Sequence, residues 1–316
     1  MATMVRLALF STVGATIKAD AVEPLAGLVA ERARIPDNSL RIKEVLNAPS
    51  NNPGAPQILV VGDSWAEVTA AGSAVGQSFF QRSLSKYGCK AGVTNIAIDG
   101  STASEWSQGA LLEILKIGAK SHDYVWISLV GNDALFFLPG CLKKPAECVD
   151  ELLAEVTPQM YKIVDAIHEA NPNAKVTGFG YDTMFGGIGC SLVTHLLFPR
   201  CWLPGAGGNS CFNKQLLRIQ HLYDTIASNR SFFKRSSILG ATQVAAGDPK
   251  ASTGADRHID MDKMGPAKYW PDYELCFHPG VIGGEDSGAS VVMNEFVKSF
   301  WVDELQCSGV QTSIIV

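Results

Sequence analysis

Four short apolar runs rich in β-branched residues lie along the first two thirds of the chain: Ile58–Val61, Val93–Ile98, Tyr124–Val130 and Lys175–Phe179. None has the polar alternation of a half-exposed strand, so each predicts a strand buried on both faces. Helical stretches lie between and after them, at Glu67–Ser85, Gly109–Ala119, Asp150–Ala170 and Asn213–Asn229. Ser236–Val244 offers a fifth strand and Asp286–Glu304 a last helix. Strand alternating with helix predicts a parallel sheet wrapped on both faces, a three-layer α/β/α domain.

The predicted strands end in similar chemistry. Gly62-Asp63-Ser64, Asp99-Gly100-Ser101, Gly131-Asn132-Asp133 and Gly180-Tyr181-Asp182 follow the four runs. Singly, such clusters read as turns and helix caps. Jointly they converge on the carboxyl edge of one sheet, where open parallel sheets bind ligands. Two long irregular segments, Tyr181–Gly208 and Gly247–Trp270, read as walls or lids over that edge, or for the second as a surface excursion.

Composition narrows the class. The 316 residues carry a net charge of −5 and no basic cluster beyond the pairs Lys143-Lys144 and Lys234-Arg235, which argues against nucleic acid. No run approaches the roughly 18 apolar residues of a membrane span. Leu7–Ile17 after Arg6, followed by Ala19-Asp20-Ala21, has the form of a signal peptide over residues 1–21, though Ser11, Thr12 and Gly14 interrupt it. An ordinary N-terminal segment is the other reading. The eight cysteines are even in number and contain no Cys-x-x-Cys pair, which favours disulfides in a secreted protein over zinc or redox motifs; a cytoplasmic protein with free thiols is the alternative. Cys141 and Cys148 close a short loop and are expected to pair. Cys190, Cys201 and Cys211 are expected to staple the first irregular segment, with Cys276 or Cys307 within reach of the scheme.

Ser64 sits between a buried strand and a helix, so its hydroxyl faces the sheet edge and its N–H lies at a helix start. A serine hydroxyl is a weak nucleophile and needs a base. His278, in Cys276-Phe277-His278-Pro279-Gly280, is the best candidate. His168 and His221 fall in helices, His122 at the sheet's other edge, and His195 and His258 in the irregular segments.

At this point the chain resembles the SGNH (GDSL-type) hydrolases. Gly62-Asp63-Ser64-Trp65 matches their nucleophile block, and Asn95–Thr102 is similar to the second, whose glycine, here Gly100, gives an N–H to the oxyanion hole. Gly131-Asn132-Asp133 resembles the third, whose asparagine gives a side-chain amide, and Cys276-Phe277-His278-Pro279 the last, which holds the catalytic histidine. The resemblance spans Gln57 to Trp301 and implies a flavodoxin-like parallel five-stranded sheet, with one catalytic domain over 22–316 and a core near 57–303. It implies ester hydrolysis by Ser64 and His278, an oxyanion hole of Ser64, Gly100 and Asn132, and lipid, acetyl-carbohydrate or thioester substrates. No metal or organic cofactor is implied, and a monomer is expected.

Two positions depart from the pattern. Val130 stands where the third block has glycine. Leu275 stands where the last block has the aspartate that orients the histidine. Asp272 is the preferred substitute, Glu274 the second, and a Ser-His dyad supported by a backbone carbonyl the third. An acyltransferase on the same fold and an inactive binding protein are the alternatives in function. The α/β-hydrolase elbow, the P-loop, the zinc-protease motif and the dinucleotide fingerprint are all missing.

Overall fold

The computed structural model describes residues 42, 46, 54–70, 78–178, 181–183, 199–254, 257–270, 278–281 and 284–308. Its centre is a parallel sheet of five strands in the order β2-β1-β3-β4-β5. The strands are β1 (Gln57–Gly62), β2 (Gly92–Asn95), β3 (Tyr124–Ser128), β4 (Lys175–Gly178) and β5 (Phe233–Arg235). The chain passes from β1 outward to β2, then returns to the other side of β1 for β3. Carboxyl ends that part in this way leave a crevice, the usual ligand site of open α/β sheets.

The strands are apolar on both faces because both are covered. Leu59, Val61, Val125, Ile127 and Val176 pack on one face. That face is covered by α4 (Gly109–Ala119), α6 (Pro145–Ala170) and α7 (Asn209–Asn229). Ile58, Val60, Tyr124 and Trp126 pack on the other face. They meet α1 (Ser64–Ala70), α2 (Phe79–Lys86), α8 (Ala241–Ala245) and α9 (Gly288–Phe296). Phe80, Trp126, Phe296 and Trp301 fill this second core, with ring centroids 5.0–6.2 Å apart, the spacing of favourable aromatic pairs. Two short helices, α3 (Ala103–Trp106) and α5 (Gly131–Phe137), follow β2 and β3 directly.

The three-layer fold and the α4 boundaries agree with the sequence pattern. Other boundaries move. β2 is regular only to Asn95 rather than Ile98, although the Ile96 and Ile98 N–H groups still bond the Val60 and Gly62 carbonyls of β1 at 2.9 and 3.0 Å; the Asn95 side-chain oxygen takes the intervening Ala97 N–H at 2.9 Å. Glu67–Ser85 is not one helix: α1 begins at Ser64 and ends at Ala70, and α2 begins at Phe79. The expected fifth strand at Ser236–Val244 is wrong. The strand is Phe233–Arg235, and Ala241–Ala245 is helical. Buried Asp182 accepts the Gly240 N–H at 2.6 Å and the Thr242 N–H at 2.8 Å, so it shapes this stretch as a helix entry.

Three disulfides are present among the described residues. Cys141–Cys148 is the expected short loop, and Cys201–Cys211 closes another beside the start of α7. Cys307 pairs with Cys89 across 218 residues, away from the irregular segment it was matched to. Cys190, Cys276 and residues 1–21 lie outside the described residues. Among the described residues no helix is long and apolar enough to cross a membrane.

Candidate active site

Asp63 makes the turn out of β1 and caps α1. Its Oδ1 accepts the Trp65 N–H at 3.0 Å, satisfying one of the donors every helix start leaves open. Ser64 is therefore the first residue of α1, 7% exposed, at the carboxyl end of β1. Gly62 makes the approach possible: a Cβ there would lie 2.3 Å from the Ser128 carbonyl oxygen. Among the described residues neither the hydroxyl nor the N–H of Ser64 has a hydrogen-bond partner.

The loops after β1, β2 and β3 are bonded to one another. The Ser101 hydroxyl lies 2.8 Å from the Ile98 carbonyl and 3.1 Å from the Gly62 carbonyl, and it accepts the Trp106 indole N–H at 2.8 Å. Gly100, just before it, has φ +73°, and its N–H is also without a partner among the described residues. Asn132 is buried and donates its amide to the Ser101 carbonyl at 3.0 Å. Asp133 accepts the Ala103 N–H at 3.0 Å. Ser64 and Asn132 thus line one pocket, and the loop of Gly100 is tied to both of their loops through Ser101.

Val130, the departure in the third block, keeps the backbone shape that glycine would supply. Its φ is 90° and ψ −17°, a left-handed conformation costly for a β-branched residue. Two buried tyrosines hold it there. The Tyr223 hydroxyl accepts the Leu129 N–H at 3.1 Å and donates to the Leu129 carbonyl at 2.7 Å. The Tyr181 hydroxyl accepts the Gly131 N–H at 2.7 Å and donates to Asp63 Oδ2. The peptide groups on both sides of Val130 are therefore fixed from outside the loop, and Tyr181 joins the Ser64 turn to the Asn132 helix.

The crevice is dry enough to move proton affinities. Burial raises Asp63 to about 7 against the opposing hydrogen bonds from Tyr181 and Trp65, and the charges of Asp133 and Asp99 add to the rise. Burial likewise raises Asp133 to about 6. Burial pushes the Tyr181 hydroxyl well above its ordinary value, so it remains a donor. His278 sits in a turn tied down by its neighbours: the Gly280 N–H bonds the Tyr269 carbonyl at 2.8 Å, and the Ala289 N–H bonds the Gly280 carbonyl at 3.0 Å. Burial lowers the His278 imidazole, while the Asp99 carboxylate pulls it back up. Its Nε2 is buried without a hydrogen-bond partner.

His278 and Ser64 are not hydrogen-bonded to each other. Asp272, Glu274 and Leu275 lie outside the described residues. Tyr181, Tyr223 and the charge of Asp99 on His278 were not anticipated. Tyr181 stood in the fourth strand-end cluster, a signal that located the crevice but not the hydroxyl's partners. The remaining described histidines are elsewhere: His122 bonds the Gly118 carbonyl at 2.7 Å at the amino end of β3, and His168 stacks on Phe232. Among the described residues no group of three or more His, Cys, Asp or Glu is arranged to hold a metal ion.

Neither a protein-family model nor a curated protein matches the sequence. Solved structures do. A Streptococcus pneumonia protein described as a platelet activating factor superposes with a TM-score of 0.53 at 13% identity, covering 91% of this chain and 99% of that one. An extracellular lipase from Streptomyces rimosus follows at 0.47 and 17%, over 76% and 100% of the two chains. An acetyl xylan esterase from Geobacillus stearothermophilus stands at 0.46 and 14%, over 81% and 97%. At such identities the likeness is one of architecture, and it agrees with the sequence blocks: this chain has the three-layer fold of the SGNH hydrolases.

Proposed function

We propose that the protein is a serine esterase. One observation carries the reading: Ser64, whose hydroxyl and N–H have no partner among the described residues, lines one pocket with Asn132, and the Gly100 N–H at the neighbouring strand end is also without a partner among them. Backbone and amide donors around a serine suit the charge that develops on a carbonyl oxygen under attack. In the proposed cycle the Ser64 Oγ bonds to the ester carbonyl carbon as His278 Nε2 takes its proton. The carbonyl electrons move onto the oxygen, held by Ser64 N–H, Gly100 N–H and Asn132 Nδ2. The ester C–O bond then breaks, and the alcohol leaves with the proton from His278. Water repeats the sequence on the acyl-enzyme, releasing the acid and restoring Ser64.

His278 suits the base's part because burial keeps the imidazole neutral near pH 7 and leaves Nε2 without another partner. The proton-transfer contact must form when substrate enters, as is common for catalytic pairs without ligand. For the partner of Nδ1, Asp272 is the preferred candidate, Glu274 the second and a backbone carbonyl the third. No metal or cofactor takes part in the scheme. The disulfides support an oxidising compartment, and we place the protein in the secretory pathway or outside the cell.

The test is a fluorophosphonate probe with peptide mapping, together with Ser64→Ala. Labelling at Ser64 is expected. The variant should retain its fold and lose hydrolysis to about a thousandth or less of the parent rate, the residue left by an oxyanion hole alone. Unchanged turnover without the hydroxyl would end the reading.

A further inference from the structure

A narrow pocket of about 50 Å³ opens beside the proposed nucleophile. Ser64 and Asn132 line one end; Leu135 of α5, Leu138 just after it, and Phe212 and Leu216 of α7 line much of the rest. The apolar side chains come from two helices. Phe212, Leu216 and Ile219 recur at i, i+4 and i+7, so they form one stripe on α7. Leu135 lies on, and Leu138 directly after, the same α5 whose first turn carries Asn132. The charged group in the wall, Asp63, already holds the Tyr181 hydroxyl and the Trp65 N–H. A hydroxylated or charged group entering here would lose water and find few partners. A hydrocarbon chain would lose nothing.

Position decides which half of an ester enters. The group that protonates the leaving alcohol must face that alcohol. His278 does not line the pocket. The pocket lies along the ends of β3 and β4, where Val130, Gly131 and Tyr181 border it. The alcohol therefore belongs outside the pocket and the acyl group within it. Volume decides how long that acyl group is. A cavity of about 150 Å³ accommodates benzene, so one about a third as large takes a chain of only a few carbons.

Building on the esterase reading, we propose that this pocket is an acyl site that selects esters of short, unbranched, unhydroxylated acids of about two to four carbons. The acyl carbon bonds to Ser64 Oγ as the ester C–O bond breaks, the alcohol departs with the proton that His278 took from Oγ, and water then releases the short acid. Ala134 and Leu135, both half-buried in the wall, set the limit on chain length.

The experiment measures kcat/KM for p-nitrophenyl acetate, butyrate and octanoate on the full chain, with sites counted by fluorophosphonate labelling of Ser64. Octanoate should fall below butyrate by about tenfold or more, since even one methylene that a pocket cannot take is worth roughly that much. Ala134→Leu narrows the pocket and should lower the butyrate-to-acetate ratio about tenfold. Leu135→Ala widens it and should raise the octanoate-to-butyrate ratio by a similar factor. The two changes act in opposite directions, so loss of fold in one leaves the other informative. Labelled, active enzyme that prefers octanoate, or keeps its ratios in both variants, overturns the acyl site while the esterase reading stands. An unlabelled Ser64 with no ester turned over defeats both.

Discussion

At the amino ends of the strands, charges meet partners in the ordinary way. Glu304 holds Lys175 at 2.9 Å and Lys234 at 2.6 Å, and Asp123 accepts the Gln57 N–H at 2.8 Å. Burial pushes Glu304 up, but the two lysines bring its carboxyl below the usual range. At the carboxyl ends, Asp63, Asp133 and Asp182 have no cation within ion-pair distance among the described residues and answer only to N–H and hydroxyl donors. Burial raises them to about 7, 6 and 6. The left-handed Val130 lies at the same end. One sheet therefore carries two electrostatic regimes. Its amino end is optimised for stability, while its carboxyl end stores strain and unpaired acids, the pattern expected where a fold gives up stability for a site.

The largest test of that contrast is Asn132→Ala. If the Asn132 amide meets charge that develops mainly in the transition state, kcat should fall by about 10²–10³ with a smaller change in KM. The Ser101 carbonyl also loses its donor, so a modest drop in melting temperature should accompany it. A variant altered only in KM would assign Asn132 to substrate binding and remove it from the oxyanion hole.

A pH profile sharpens the comparison. His278 must be neutral to take a proton, and burial lowers it from 6.5, so the acid limb of kcat/KM should lie below pH 6.5. Asp99 opposes that shift. Asp99→Asn should therefore move the limb further to acid, and a limb that stays still would uncouple the two residues. Linkage gives the matching stability effect. The unfolded chain binds the His278 proton more readily, so His278 costs stability as pH falls through 6.5 and costs nothing above it.

The smallest effect compares two buried valines. Val125 lies in β3 with ordinary strand geometry, and Val130 is in the left-handed region. At Val125, glycine should be less stable than alanine by about 1 kcal/mol because it frees the unfolded chain. At Val130 the order should reverse. Glycine there relieves about 1–3 kcal/mol of backbone strain, which roughly offsets about 1.5–3 kcal/mol of lost apolar burial. Alanine loses burial and keeps much of the strain. Denaturant melts of the four variants check this, and finding glycine the worse choice at both positions would remove strain from the account.

Local chemistry made the sheet and the crevice readable. Strand runs buried on both faces, the α4 stretch, the Cys141–Cys148 loop and the glycine-bearing strand ends all lie within a few residues of one another, so a linear pattern carries them. The positions of Ser64, Gly100 and Asn132 beyond the ends of β1, β2 and β3 were readable the same way. The fifth strand escaped notice because Phe233–Arg235 is three residues long, with Phe233 alone fully buried; its pairing with β4 defines it, not its own periodicity.

Other features depend on contacts that no local pattern encodes. Tyr181 reaches Gly131 across 50 residues, and Tyr223 reaches Leu129 across 94. Neither spacing has a sequence signature, yet together they hold Val130 where a glycine was expected. The acyl pocket arises because a stripe on α7 faces the end of α5, and Asp99 acts on His278 only because the chain returns to β2 near its end. The sequence by itself determined which residues could do chemistry and on which edge of the sheet they stand, because strand periodicity and turn chemistry are local. Tertiary structure alone decided which of them are dry, which are strained and which face a cavity, because burial and hydrogen-bond partners are properties of packing between segments distant in the chain.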